Sequence, residues 1–80
     1  ALSVYPNPST GVFQLSLNAA NRVNGSIVIL DMTGKQVYNN AIDVIGLYDT
    51  TINLNAMPKG VYAIQLRTSE GFASKTISIQ

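Results

Sequence analysis

Apolar and polar residues alternate with a period of two along most of the chain, and β-branched residues crowd the apolar positions. This pattern predicts strands throughout and no helix. Val12–Asn18 sets Phe13, Leu15 and Leu17 on one face and Gln14, Ser16 and Asn18 on the other, the signature of a half-buried strand. Gly25–Met32 differs, because Ile27, Val28, Ile29 and Leu30 run together and predict a central strand covered on both faces. Thr33-Gly34 turns the chain into a short strand over Lys35–Asn39, with Asp31 placed to accept backbone hydrogen bonds in the turn.

Further on, Tyr48, Thr50, Ile52 and Leu54 share a face, and Tyr62, Ile64 and Leu66 point inward within Gly60–Thr68. The final strand, Phe72–Gln80, places Ala73, Lys75, Ile77 and Ile79 on one face. Ser69-Glu70-Gly71 is read as the hairpin loop before it, with Gly71 free to take a positive φ. With Leu2–Tyr5 these make about seven short strands at the spacing of a β-sandwich. A closed barrel is the alternative. Two packed sheets bury the alternating faces with fewer residues, so the fold class expected is all-β, an immunoglobulin-like sandwich of antiparallel strands.

Eighty residues make one domain with a small core. The chain has no cysteine for a disulfide or thiolate metal site and no histidine for a zinc site or a general base. Only 11% of residues are charged and the net charge is +1, which argues against nucleic acid as a partner. No apolar run approaches the ~20 residues of a membrane span, so no direct membrane insertion is expected. The chain also lacks the basic start and apolar stretch of a signal peptide, so an exported form would be a fragment or a mature piece.

Four carboxylates, Asp31, Asp43, Asp49 and Glu70, all fall in or beside expected turns. A small sandwich has little room for the cleft that would perturb their pKa values, and no histidine activates any serine, so catalysis is not expected. Asp31, Asp43 and Asp49 could offer oxygen ligands to calcium, but their spacing fits no calcium loop and no metal site is assigned. Asn24-Gly25-Ser26 matches the N-glycosylation pattern, and Asn-Gly reads more simply as a turn.

The glycine-containing turns carry more. Pro6 and Pro8 around Asn7 stiffen the chain until Gly11 releases it into a strand. Asp31-Met32-Thr33-Gly34-Lys35 is the second turn, Met57-Pro58-Lys59-Gly60-Val61-Tyr62 the third, and Gly71 with Lys75 and Ile77 the fourth. In this order and spacing they resemble the C-terminal sorting domain of the type IX secretion system, type A, over essentially the whole chain from Val4.

That resemblance implies a seven-stranded immunoglobulin-like sandwich at the end of a larger secreted protein. It also implies a covalently linked N-terminal cargo domain, an outer-membrane translocon and a sortase-like cysteine peptidase as partners, and no cofactor. The peptidase typically cuts before the domain, so the scissile bond would precede Ala1, and can join the cargo to lipopolysaccharide at the cell surface. The positions carried over as recognition residues are Gly60, Tyr62, Gly71, Lys75 and Ile77. Pro6, Asn7, Pro8, Gly11, Asp31, Gly34 and Lys35 are the structural turn motifs.

Tyr62 alternates inward with Ile64 and Leu66 and reads equally as a core residue with its hydroxyl near the edge. Lys75 lies in an apolar row, where it must snorkel, pair with an acid, or await a partner. A terminal strand at a sheet edge offers unpaired backbone to which a receptor could add a strand. Two other readings compete. A carbohydrate-binding or adhesive sandwich would display aromatics on a flat face, yet tryptophan is absent and Tyr5, Phe13, Tyr38, Tyr48, Tyr62 and Phe72 are scattered among the strands. An inert spacer would alter only reach when removed.

Overall fold

The computed structural model describes residues 2–69 and 71–80. Among them there is no helix, and so none long and apolar enough to cross a membrane. Five antiparallel strands account for most of the chain: β1 (Leu2–Tyr5), β2 (Val12–Leu30), β3 (Gln36–Asn53), β4 (Gly60–Thr68) and β5 (Gly71–Ile79).

β2 and β3 are each long enough to serve two layers. The first half of β2 pairs with β1 and with the second half of β3; Leu17 faces Leu2 on one side and Tyr48 on the other. Its second half pairs with β4 and with the first half of β3; Ile27 faces Leu66 and Asn40. β5 then pairs with β4. Apolar residues from both halves, including Phe13, Leu15, Ile27, Ile29, Ile52, Ile64 and Ile77, meet in a single buried cluster. The sheet therefore folds over on itself as a sandwich around one core.

The seven strands expected are thus five. Ala20, Asn21 and Arg22 lie between the pairs Ala19↔Gly46 and Val23↔Val44, opposite Ile45 alone. The extra residues are absorbed as an irregularity in the ladder, so pairing resumes where a connection was expected. Arg22 forks onto Asp43 beside this bulge, with two contacts of 2.8 Å. The Asn24-Gly25 turn is overturned as well, since Gly25 lies within β2, paired with Ile42 and Thr68. A Cβ on Gly25 would stand 2.0 Å from the Arg67 carbonyl oxygen, so glycine here permits close backbone approach, not a bend.

The other elements lie where the alternation puts them. Phe13, Leu15 and Leu17 are buried on β2, and Val28 is 1% exposed although it points away from its buried neighbours Ile27 and Ile29, as a centrally placed strand requires. The Asp31 hairpin turn is closed by Gly34 N–H donating to Asp31 O at 3.0 Å and Asp31 N–H donating to Lys35 O at 2.9 Å. Of the expected loop Ser69-Glu70-Gly71, Glu70 lies outside the described residues, and Gly71 already belongs to β5, paired with Thr68.

Candidate recognition surface

The sequence motifs gather mainly at one end of the sandwich. The Asp31 turn and the Gly60–Tyr62 start of β4 both line an apolar cleft of about 180 Å³ that also includes Val37 and Met57. Asp31 is consumed by its own turn. Its Oδ1 accepts from the backbone N–H of Thr33 at 2.9 Å and of Lys35 at 3.0 Å, and from the Thr33 hydroxyl at 2.6 Å. The hydroxyl bond chiefly, with the backbone bonds behind it, holds the carboxyl below its ordinary range. Asp43 is held low by Arg22, and that ion pair is exposed at the surface. Among the described residues, no three His, Cys, Asp or Glu side chains come together as a metal site would need.

Tyr62 is 4% exposed, and its hydroxyl donates to the carbonyl of Pro58, four residues upstream. A tyrosine near the start of a strand that reaches back to the preceding corner is a recurrent brace of immunoglobulin-like sandwiches. The Met57-Pro58-Lys59-Gly60 turn is thereby tied to the core through one side chain.

Pro6, Asn7 and Pro8 do something the sequence did not reveal. Leaving β1, this segment crosses to the other layer and lies along the outer edge of β5. The Asn7 amide acts in place of a strand residue, donating from Nδ2 to Thr76 O at 3.0 Å and accepting at Oδ1 from Ser78 N–H at 3.1 Å. Ser9 continues in parallel with Ile79, donating to Ser78 O and accepting from Gln80 N–H, both at 2.8 Å. Prolines flanking Asn7 lack the N–H groups that an outer strand would leave unpaired. Gly11 follows, with φ +125°, and a Cβ there would approach Asn55 Oδ1 to 2.3 Å. The hint available in the sequence was an asparagine between prolines, a residue whose side chain mimics a peptide group.

The strap covers β5 from Thr76 onward, and among the described residues nothing pairs with Phe72–Lys75 on that outer side. Gly71 opens this stretch at the hairpin end of β5, while Gly60 pairs with Ile79 at the other, about 26 Å away at ~3.3 Å per residue. Lys75 sits between them. It faces the core side, opposite the fully buried Ile64, yet is itself exposed and makes no ion pair with a described residue. Ile77, two positions on, is 1% exposed. Of the five positions singled out for recognition, Gly71 and Lys75 are exposed, Gly60 is partly so, and Tyr62 and Ile77 belong to the core.

The aromatics form no stacking platform. Phe72 and Tyr5 are the exposed ones, at 65% and 50%. They lie on different strands, Phe72 on β5 paired with Arg67 and Tyr5 on β1 paired with Gln14. Tyr38 and Tyr48 pack against the core.

No curated protein is similar enough to this chain to serve as a relative. The model of one family, described as "Secretion system C-terminal sorting domain", matches residues 3–80, which include every turn motif and every strand but the first residue of β1. Such domains are the sorting signal for type IX secretion, by which a cargo protein reaches the cell surface or the extracellular space, and are not themselves catalytic. The small all-β chain with its strapped terminal strand belongs to the type IX secretion C-terminal sorting domain family.

Proposed function

We propose that residues 1–80 are a single domain ending a larger secreted protein, and that the type IX outer-membrane translocon reads its terminal hairpin. A sortase-like cysteine peptidase then cuts ahead of the domain and can attach the released cargo at the cell surface. Gly71 and Lys75 are the contact positions. Gly60, Tyr62 and Ile77 act from beneath, holding β4 and β5 in register.

One observation carries this reading: β5 is strapped by Asn7 and Ser9 over Thr76–Gln80 and, among the described residues, open over Phe72–Lys75. A sheet edge protected along half its length keeps a defined segment available for a partner strand.

The test is a reporter fused to residues 1–80 in a host with the secretion machinery. Deleting Thr76–Gln80 would remove Ile77 and Ile79 from the core and so report on folding. Ser74→Pro is the better probe. Even-numbered residues of β5 point their backbone groups outward, so proline at 74 removes an N–H from the open edge and none from the ladder with β4. Surface delivery is expected to fall while circular dichroism and the melting transition stay those of a folded domain. Normal delivery of folded Ser74→Pro would overturn the proposal.

A further inference from the structure

The open stretch of β5 has a side-chain pattern as well as a free backbone. The strap engages Thr76 O, Ser78 N–H and O, and Gln80 N–H, so the alternation of an antiparallel strand turns the N–H and C=O of Phe72 and Ser74 to the same outer side. Those four groups suffice for the ladder bonds of a short added strand.

Toward the core, the β5 row reads Ala73, Lys75, Ile77, Ile79. Beside Ala73 lies an apolar cleft of about 220 Å³ walled by Val23, Leu66, Ala73 and Phe72. One step along the row stands Lys75, exposed and without an ion-pair partner among the described residues. Side chains directly opposite on neighbouring strands lie within about 5 Å, so an added strand places its core-side residues against this row one for one.

Building on the reading of the terminal hairpin as the recognition surface, we propose that Phe72–Lys75 takes an extended segment of a partner carrying an apolar residue and a carboxylate two positions apart. The apolar side chain enters the cleft beside Ala73. The Asp or Glu meets Lys75. The intervening residue, beside Ser74, faces away from the core and is unconstrained. A second copy of the same edge is a poor occupant, because its corresponding row offers a lysine and no carboxylate. The outer edge of β3 is the competing site, and the amides that shift on binding tell the two apart.

The experiment titrates two blocked heptapeptides against the ¹⁵N-labelled 80-residue chain: Thr-Val-Thr-Glu-Thr-Val-Thr and its counterpart with lysine for glutamate. The symmetric spacing serves either strand direction. The glutamate peptide is expected to shift the amides of Phe72–Lys75 and to bind about fivefold or more tightly than the lysine peptide, the factor that one exposed ion pair of ~1 kcal/mol confers. Lys75→Glu is expected to reverse that preference without unfolding the chain. No binding, equal affinities, a preference that Lys75→Glu leaves intact, shifts confined to β3, or dimerisation of the chain each overturns the proposal.

The delivery assay separates this from the reading it rests on. If Ser74→Pro stops delivery but folded Lys75→Glu is delivered normally, edge docking stands and the acidic partner fails. If Ser74→Pro is delivered normally, edge docking itself fails.

Discussion

Tyr62→Phe separates a brace from a contact residue at the most conspicuous position of the Gly-x-Tyr turn. The substitution keeps the ring among the core residues and removes one oxygen, the donor to Pro58 O. A net hydrogen bond is worth about 1 kcal/mol, and this one is only part-buried, so the loss should stay near that value. At ~0.05 kcal/mol per residue, 80 residues start from about 4 kcal/mol, and a remainder of ~3 kcal/mol still leaves above ~99% of molecules folded. The melting temperature should fall by about 4–8 °C. Urea titration gives the stability change directly, and the reporter fusion gives delivery. The expected pair of results is a measurable loss of stability with delivery unchanged. Delivery that collapses while the variant is folded would refute the reasoning and make the hydroxyl a group the machinery reads. Tyr62→Ala cannot make this distinction, since losing a buried aromatic costs roughly 3–5 kcal/mol and would unfold a domain of this size.

Three other perturbations test the frame around the hairpin. Gly25→Ala should destabilise by about 1–3 kcal/mol or more, because the new methyl meets the Arg67 carbonyl and backbone must move; a urea midpoint equal to wild type would show that the strands yield freely. Asn7→Ala removes both bonds of the strap side chain, so amide exchange at Ser78 should accelerate while the amides of Ile64 and Leu15 keep their protection; an unchanged Ser78 rate would mean that Ser9 alone holds the edge. Asp31→Asn should flatten the acid limb of stability. The Asp31 carboxyl is depressed below 3.8 in the folded chain, so its contribution is present above that unfolded value and is lost as pH falls through the lower folded one. Melting curves from about pH 6 down to pH 2 that superimpose for wild type and variant would refute it.

How far the sequence could be read depended on the range of the interaction involved. Alternation within a strand is local, so the burial of Phe13, Leu15 and Leu17 or of Tyr62, Ile64 and Leu66 was legible in the pattern alone. The Asp31 turn was equally plain, because an aspartate accepting from the next few amides is satisfied within five residues. The merging of seven expected strands into five was hidden. Nothing local tells Ala20–Arg22 apart from a polar connection; what makes it a bulge is β3, more than twenty residues away in sequence. Gly25 misled for the same reason, since its partner is Arg67. Among the recognition residues, the sequence marked Lys75 as an anomaly in an apolar row, but its exposure depends on which strand ends the sheet and how far the strap extends.

That strap changes what the lone lysine means. A sandwich with strands at its margins must keep them from pairing with other copies, and short length, proline, bulges and inward-pointing charge are the available means. β1 has four residues and is followed by Pro6, β3 carries an extra residue at Val37 where its ladder with β2 shifts register, and the far half of β5 is covered by Asn7 and Ser9. Only the near half of β5 relies on charge. An inward lysine repels a second copy of the same edge but welcomes a strand that brings a carboxylate. Unlike a proline or a covering strap, it closes the edge selectively. A protective device that admits one complementary chemistry is what an address needs, because the signal must stay inert in transit and be read at one receptor. The prediction separating these roles is that Lys75→Ala, which removes the repulsion and the attraction together, should weaken binding of the glutamate peptide and also raise self-association. Analytical ultracentrifugation that finds Lys75→Ala as monomeric as wild type would show that the lysine serves recognition without guarding the edge.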